Sequence, residues 1–204
     1  MKLNARELRE VDENDIKEKL KHIKRQPIYF ILENIYDTYN IGGLFRLADA
    51  LAIEKIYICG ESEIPPNHRI KKASIGTYKV VSWEYKKTTK EAIENAKGES
   101  YKFLSRLNSS PEESGSSDTK SLKNLPVSPL KVIAVEQHPD SVPYTQAEYS
   151  FPVALILGNE TSGVSEETLK LADQIVEIPM WGINKSLNVI VSAAIVSYWA
   201  VNIL

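Results

Sequence analysis

The most informative segment of the chain is residues 178–191, IPMWGINKSLNVIV. An apolar strand end leads into a polar turn with Pro179 and Gly182, and small and apolar residues follow from Ser186 in the pattern of a helix. Helix N-termini have unpaired N–H groups and a partial positive charge, and strand ends have free carbonyl groups. The stretch therefore predicts either a site for a small polar ligand or a helix that is merely capped by Ser186, with Asn188 at the surface.

Two further segments have the same arrangement, in which an apolar strand ends in a polar, glycine-bearing loop. Residues 40–46, NIGGLFR, follow one strand and open a helix, in which Asn40 fits an N-cap and Arg46 lies about two turns later. Residues 157–163, LGNETSG, follow another strand and precede a helix with an acidic first turn. The repetition favours a shared ligand site over three unrelated turns.

In order and spacing, the three segments resemble the motifs N-x-G-x-x-x-R, L-G-x-E-x-x-G and I-P-M-x-G-x-x-x-S-L-N-V of the SpoU (TrmH-like) branch of the SPOUT superfamily of RNA methyltransferases. The resemblance spans residues 27–204 apart from one insert. It implies a mostly parallel α/β sheet flanked by helices, with a C-terminal trefoil knot. Because knots are nearly absent from other folds, only the resemblance supports this last expectation.

The same resemblance implies an activity and its partners. The expected reaction is transfer of a methyl group from S-adenosyl-L-methionine to a ribose 2'-hydroxyl in structured RNA, by a homodimer. A separate RNA-binding domain does not fit into residues 1–26, which are expected to be a helical extension of the methyltransferase domain at 27–204. By analogy with small relatives this favours tRNA over rRNA as substrate, and the particular RNA and nucleotide stay open.

The resemblance also assigns site residues. Arg46 and Asn40 are expected at the nucleotide, Glu160 is expected to order the loop or the active site, and Ser186 and Asn188 are expected to orient the substrate or Arg46. The cofactor pocket is expected to contain Val135, Gly158, Ile178, Met180 and Leu187. The family's proposed base is the motif arginine, but a free guanidinium is almost always charged, so base and phosphate clamp both remain open for Arg46.

Each of these residues also has a purely structural explanation. Arg46 fits a surface ion pair, Glu160 fits a carboxylate near a helix start, and Ser186 fits a cap. The coincidence of three ordered motifs argues against all three at once. A catalytically silent RNA-binding relative is an alternative, although it is expected to lack Arg46 or Asn188. A dinucleotide or phosphate binder is a weaker one, because the loop at 158–163 contains neither G-x-G-x-x-G nor G-K-[ST].

Composition sets further limits. A chain of 204 residues that is 43% hydrophobic can form one core. A single cysteine, Cys59, cannot form an internal disulfide, and three scattered histidines do not suggest a metal site. The charged first 25 residues lack an apolar signal segment, so we expect a cytoplasmic protein. The net charge of −2 is unlike that of a generic nucleic-acid binder, which leaves local basic groups at 17–25 and 69–72 as candidate RNA contacts.

Apolar runs alternate with helical patterns along the chain, which predicts a parallel sheet covered on both faces. The expected strands are 28–32, 55–59, 79–83, 131–135, 153–157 and 175–178, and the expected helices are 5–23, 41–52, 89–97, 165–172 and 186–202. The last helix is apolar nearly all round and is interrupted by polar residues, which favours burial against a second copy over a membrane span. The Ser-rich segment 98–129 is expected to be a mobile insert or one that orders on RNA or on the partner subunit.

Overall fold

The computed structural model describes residues 2–12, 16, 20, 22–109 and 129–203, with side chains of 106–109 left out. Its centre is a seven-stranded sheet in which every neighbouring pair of strands is parallel. In chain order the strands are β1 Gln26–Glu33, β2 Ile53–Cys59, β3 Trp83–Lys86, β4 Lys131–Val135, β5 Val142–Pro143, β6 Val153–Leu157 and β7 Gln174–Glu177. The predicted parallel α/β sheet is confirmed.

Helices cover both faces of this sheet. They are α1 Ala5–Glu10, α2 Thr38–Ala50, α3 His68–Ser74, α4 Thr89–Ser109, α5 Glu166–Leu169 and α6 Val189–Ile203, with a 3₁₀ turn at Thr77–Lys79. Along β1, Phe30 and Leu32 enter the core beneath α2 and α6, whereas Tyr29 and Ile31 enter the core beneath α4. Strands buried on both faces form continuous apolar runs, as the sequence of β1 shows.

The strand order places a switch point at the centre of the sheet. The order is β3-β2-β1-β6-β4-β7-β5, and Leu32 of β1 is level with Leu157 of β6. The chain leaves β1 toward β2 on one side, and it leaves β6 toward β7 on the other side. Loops diverge at such a point and leave a crevice beyond the carboxyl ends of the strands, where ligands bind in open α/β sheets.

Several predicted elements differ from those in the structure. The helix expected at 5–23 is interrupted: α1 ends at Glu10, because Val11 leaves helical geometry with a φ of −58° and a ψ of 129°, and the described residues Ile16 and Leu20 are helical again. The strand expected at 79–83 is wrong, since Thr77–Lys79 is a 3₁₀ turn and β3 begins only at Trp83. The short helix α3 and strand β5 have no counterpart in the sequence prediction.

The Ser-rich segment is helical at its start. Helix α4 continues from Thr89 through Ser109, so residues 98–109 are not the loop that composition predicted. Phe103 and Leu104 are buried, and this packing outweighs the low helix propensity of Gly98 and its polar neighbours. The remainder of the predicted insert, 110–128, lies outside the described residues.

The C-terminal helix α6 begins three residues later than predicted, at Val189. Ala193, Val196 and Ala200 are fully buried against the rest of the fold. Val191, Tyr198 and Ile203 remain exposed by about half, so part of the helix's apolar surface is uncovered in this chain. In the part of the chain that the structure describes, no helix is long and apolar enough to cross a membrane.

Candidate functional site

The three motif segments meet at the switch point between β1 and β6. The first opens α2, which follows β1, and the second is the loop at 158–163 after β6, here called the GNETSG loop. The third is the loop at 178–188 between β7 and α6, here called the PMWG loop. The parallel sheet places all three beyond the same edge.

Asn40 joins the other two segments by hydrogen bonds. Its Nδ2 donates to Glu160 Oε1 at 2.9 Å, and its Oδ1 accepts from Asn188 Nδ2 at 2.9 Å. The Asn40 side chain is buried while both of its partners lie at the surface. One amide thus connects a carboxylate of the GNETSG loop to the end of the PMWG loop, which uses both the donor and the acceptor of asparagine.

Glu160 also accepts backbone hydrogen bonds. The N–H groups of Tyr36 and Asp37 donate to its two oxygens at 3.3 Å each. These N–H groups precede α2, so the carboxylate ties the GNETSG loop to the turn between β1 and α2.

Both predicted helix caps are wrong. The N-cap of α2 is Asp37, whose Oδ1 accepts from Tyr39 N at 2.8 Å, and Asn40 instead lies within the first turn. Helix α6 begins after Asn188, whose Oδ1 accepts from Ile190 N at 2.9 Å. Ser186 is exposed, and its own N–H donates to Asn184 Oδ1 at 3.3 Å. Each helix begins a few residues away from the position that its apolar pattern suggested.

The GNETSG loop is folded back tightly on itself. Asn159 Oδ1 accepts from the N–H groups of Thr161 and Ser162 at 2.8 and 3.0 Å, and Asn159 Nδ2 donates to the carbonyl of Asn34 at 2.7 Å. The backbones of Asn159 and Gly163 exchange two hydrogen bonds. At Gly158 a Cβ would lie 2.3 Å from backbone atoms of Gly163 and Val164, so only glycine fits there.

A cavity of about 400 Å³ lies between the GNETSG and PMWG loops. All five predicted cofactor contacts line it, namely Val135, Gly158, Ile178, Met180 and Leu187. Three of the predicted catalytic residues line it as well, namely Glu160, Ser186 and Asn188. Its volume lies within the range of small-molecule sites, and its wall combines apolar side chains with a few polar groups.

The cavity wall also contains residues that the motifs do not include. Glu136 and Gln137 follow β4, Glu177 ends β7, and Lys185 belongs to the PMWG loop. Glu136, Gln137 and Glu177 could have been predicted as wall residues from their position at strand ends, because parallel strands end at one edge of the sheet. Among the described residues, no group of three or more His, Cys, Asp or Glu side chains is placed to hold a metal ion.

Arg46 lies outside the cavity wall, exposed on α2. It is one turn beyond Gly43, where a Cβ would lie 2.3 Å from Ile190 Cδ1 in the first turn of α6. Residues three apart share a helix face, so Asn40, Gly43 and Arg46 follow one side of α2. Within the described part of the chain, no hydrogen bond or ion pair engages the Arg46 guanidinium.

The two predicted basic groups differ in their surroundings. Arg25 donates from Nη2 to the carbonyl of Val80 at 2.7 Å, and burial lowers its pKa, so this arginine is part of the framework. Lys17, Lys19 and Lys21 lie outside the described residues. Arg69 is exposed and lines a cleft together with Tyr36 and Asp37, whose N–H groups bind Glu160. Among the described residues of the two groups, Arg69 on α3 is the one that lines this cleft beside the site.

Cys59 is fully buried at the end of β2, as expected for a residue that fills the core. Burial raises the pKa of its thiol to about 12, so the reactive thiolate is scarce at neutral pH.

Comparison with known proteins agrees with this geometry. The family model described as SpoU rRNA Methylase family matches residues 27–120 and 115–198. A tRNA (guanosine(18)-2'-O)-methyltransferase of Escherichia coli is 24% identical over 181 residues, which are 87% of this chain and 64% of that protein. The enzyme of the same name from Thermus thermophilus is 29% identical over 196 residues, which are 96% of this chain and 84% of that one. The chain thus spans just under two thirds of the E. coli relative.

Solved structures share the fold. The AdoMet-bound rRNA methyltransferase from Sinorhizobium meliloti superimposes with a TM-score of 0.66 at 22% identity, over 97% of this chain and 60% of that one. The TrmH/SpoU tRNA modifying enzyme of A. aeolicus gives a TM-score of 0.62 at 22% identity, over 91% of this chain and 82% of that one.

Proposed function

Because the chain belongs to the SpoU rRNA Methylase family, we propose that it methylates a ribose 2'-hydroxyl of structured RNA with S-adenosyl-L-methionine as donor. The observation that carries the proposal is the cavity at the switch point, whose wall contains all five residues expected at the cofactor. Glu160 and Asn188, which Asn40 links, lie in the same wall.

The residues present fit this cofactor. Gly158 lets the chain pass so closely to Gly163 that the wall of the cavity there is backbone, which suits recognition of an adenine edge. Ile178, Met180 and Leu187 supply apolar surface for the flat ring. When bound, the cofactor supplies a methyl group on a positively charged sulfur, which is already activated for transfer.

The protein then has to align the ribose 2'-hydroxyl with the methyl group and to provide for the loss of the hydroxyl proton, for which the family's proposed acceptor is the motif arginine, here Arg46. Positioning a nucleophile in line with its target corresponds to effective molarities of about 10⁵ to 10⁸ M in favourable cases. Asn40 links the GNETSG loop to Asn188, so the end of the PMWG loop that enters α6 keeps a fixed position relative to the opposite wall. Arg46, exposed on the face of α2 that leads to α6, is assigned to the RNA as a clamp on phosphate. Ser186 is exposed at the rim, where its hydroxyl can orient the ribose.

We assign tRNA as the substrate class, with rRNA as the alternative. Relatives carry both names, since a 23S rRNA (guanosine-2'-O-)-methyltransferase of Pectobacterium atrosepticum is 22% identical over 197 residues. The relatives from Escherichia coli and Thermus thermophilus, both named as tRNA enzymes, favour tRNA. Arg69, in the cleft beside Tyr36 and Asp37, is the basic group that would meet phosphates near the site.

We further infer a homodimer that forms through α6, and a trefoil knot in the C-terminal part of the chain, as the family implies. The dimer is supported by uncovered apolar surface. Trp181 and Ile183 are 93% and 101% exposed on the PMWG loop, and Val191 and Tyr198 are about half exposed on α6. Such a patch marks an interaction surface. With RNA as substrate, the cytoplasm is the expected location.

The proposed division of the chain into an extension at 1–26 and a methyltransferase domain at 27–204 is supported by how α1 packs. Leu8 is buried, and Lys79 Nζ donates to the carbonyls of Arg9 and Val11 at 3.2 and 2.7 Å. The described residues of α1 and Val11 therefore lie against the 3₁₀ turn.

The deciding experiment incubates the purified protein with labelled S-adenosylmethionine and either unmodified tRNA or rRNA, followed by nuclease digestion and nucleoside mass spectrometry. A 2'-O-methyl nucleoside from one pool establishes the reaction and the RNA class. Arg46→Lys tests the arginine, with Arg6→Lys on the exposed α1 as its matched control. If Arg46→Lys retains wild-type turnover and RNA binding, the two-pronged phosphate clamp is wrong. Absence of methylation together with absence of cofactor binding would favour the silent RNA-binding alternative, whereas cofactor binding without methylation of either pool would point to a missing partner or a different RNA.

A further inference from the structure

Glu136 is a wall residue of the cavity that lies outside all three motifs. It directly follows β4, and its backbone N–H donates to the carbonyl of Val176 at 3.0 Å, which continues the pairing of β4 with β7. Its side chain turns toward the GNETSG loop. Oε2 accepts from Val164 N at 2.8 Å, and Oε1 accepts from Gln137 N at 2.9 Å.

The Glu136 carboxylate also lies directly against Gly163. A Cβ at Gly163 would be 2.2 Å from Glu136 Oε2, and the φ of +69° is itself suited to glycine. Gly163, the last residue of the GNETSG loop, must therefore be glycine because the Glu136 carboxylate occupies the space of a Cβ. Since Gly158 passes within contact of Gly163 and Val164, the position of this carboxylate is transmitted to the glycine expected at the cofactor.

A second carboxylate, that of Glu33, binds the backbone N–H of Ser165, which directly follows Val164. Glu33, at the end of β1, accepts from Ser165 N at 3.0 Å and from the hydroxyls of Ser165, Thr168 and Thr89. It is buried and does not line the cofactor cavity. Consecutive amides after the loop are thus bound by carboxylates from two different strands, of which only Glu136 faces the cavity.

We propose that Glu136 is a positioning residue for cofactor binding. Its carboxylate holds the backbone of the GNETSG loop in the position that leaves the cavity open to the cofactor. The proposal rests on the proposed function. A charged acceptor forms stronger hydrogen bonds than a neutral one, and carboxylate oxygens accept from both Val164 and Gln137. Val164 is buried, so removal of the carboxylate would leave its N–H without a partner, and the loop would move to find one.

The test compares Glu136→Ala, Glu136→Gln and wild type, with Glu94→Gln on the exposed face of α4 as control. Binding of S-adenosylhomocysteine is measured by calorimetry, together with the KM for S-adenosylmethionine, kcat at saturating cofactor, and thermal unfolding. We expect Glu136→Ala to weaken binding about tenfold, as for loss of one hydrogen bond to a charged group. Glu136→Gln should recover part of this loss, because an amide oxygen can still accept from Val164. At saturating cofactor, kcat should stay near the wild-type value.

A purely structural role makes a different prediction. It would lower the unfolding temperature and kcat together and leave the affinity of the folded protein for S-adenosylhomocysteine unchanged, and that pattern overturns the proposal. Wild-type affinity in Glu136→Ala overturns it as well. If the wild-type protein itself does not bind S-adenosylhomocysteine, the proposed function fails and this inference fails with it. Glu33→Gln, on the far side of the loop, should lower stability more than cofactor affinity.

Discussion

The two loops that face each other across the cavity are built differently. In the GNETSG loop and directly after it, the N–H groups of Thr161, Ser162, Gly163 and Val164 all have acceptors within the protein. In the PMWG loop, residues 181–188 are all exposed, and within the described chain their hydrogen bonds are few, mainly those of Ser186 and Asn188. One wall is therefore fixed by the fold itself, and the other has surface and polar groups left for a ligand or a second subunit.

This difference has a physical consequence for binding. A fixed wall costs little conformational entropy when a ligand arrives, whereas an exposed loop must be ordered at that moment. Substitutions in the GNETSG loop should therefore lower the stability of the folded protein. Substitutions in the PMWG loop should mainly lower its affinity for a ligand or a second subunit.

The largest difference is expected between two glycines. Gly158→Ala places a Cβ 2.3 Å from backbone atoms, and we expect it to destabilise the fold by about 1–3 kcal/mol and to abolish binding of S-adenosylhomocysteine. Gly182→Ala in the PMWG loop meets nothing within 4 Å and has no positive φ, so stability should change little. Chemical unfolding and calorimetry measure both effects. Equal costs at the two glycines would contradict the comparison.

The bridge between the loops is the next test. Asn40→Ala removes both hydrogen bonds of the buried amide and frees Glu160 from Asn188. We expect kcat/KM for RNA methylation to fall about 10²-fold, since a misplacement of about 1 Å can have this effect. Steady-state kinetics at several RNA concentrations checks the result. Activity within a factor of two of wild type would show that the bridge does not set the geometry.

Two matched helix caps separate stability from activity. Asn188 and Asn4 each accept a hydrogen bond at 2.9 Å from the backbone N–H two residues later. Alanine at either position should lower the free energy of unfolding by about 1 kcal/mol. Methylation should fall only in Asn188→Ala, because Asn4 caps α1 and does not line the cavity. Parallel measurements of unfolding and turnover decide this, and equal losses of turnover would remove Asn188 from the site.

The smallest effect on the folded chain is expected for Trp181→Ala. The Trp181 side chain is 93% exposed, so the free energy of unfolding at low protein concentration should change by no more than about 0.5 kcal/mol. If a second copy covers the PMWG loop, the dimer should dissociate at a higher protein concentration. Sedimentation over a concentration series measures this, with Tyr101→Ala on the exposed side of α4 as control. An unchanged dimer would place Trp181 outside the interface.

The sequence predicted the strand-rich part of the molecule well because local pattern and tertiary burial agree there. Strands β4 and β6 have the predicted bounds, and the residues that the motif resemblance placed at the cofactor line the cavity beyond the strand ends. Helix ends were less predictable. Helix α2 is capped by Asp37 and not by Asn40. Helix α4 extends through polar residues because Phe103 and Leu104 are buried.

Glu136 could not be found from the sequence as a contact of Gly163. The two residues are far apart along the chain, and only the adjacency of β4 and β6 brings them together. A carboxylate after a strand is equally consistent with a solvated loop, so its hydrogen bond to Val164 N is information that the fold alone supplies.

Amide hydrogen exchange with and without S-adenosylhomocysteine tests most directly whether the cavity between the two loops binds the cofactor. We expect the amides of the GNETSG loop to be already protected in the free protein and to change little. The amides of residues 181–188, which are exposed in the free chain, should gain strong protection when the ligand binds. Protection gained elsewhere on the sheet, or no change at either loop in the presence of saturating ligand, would contradict the assignment of this cavity to the cofactor.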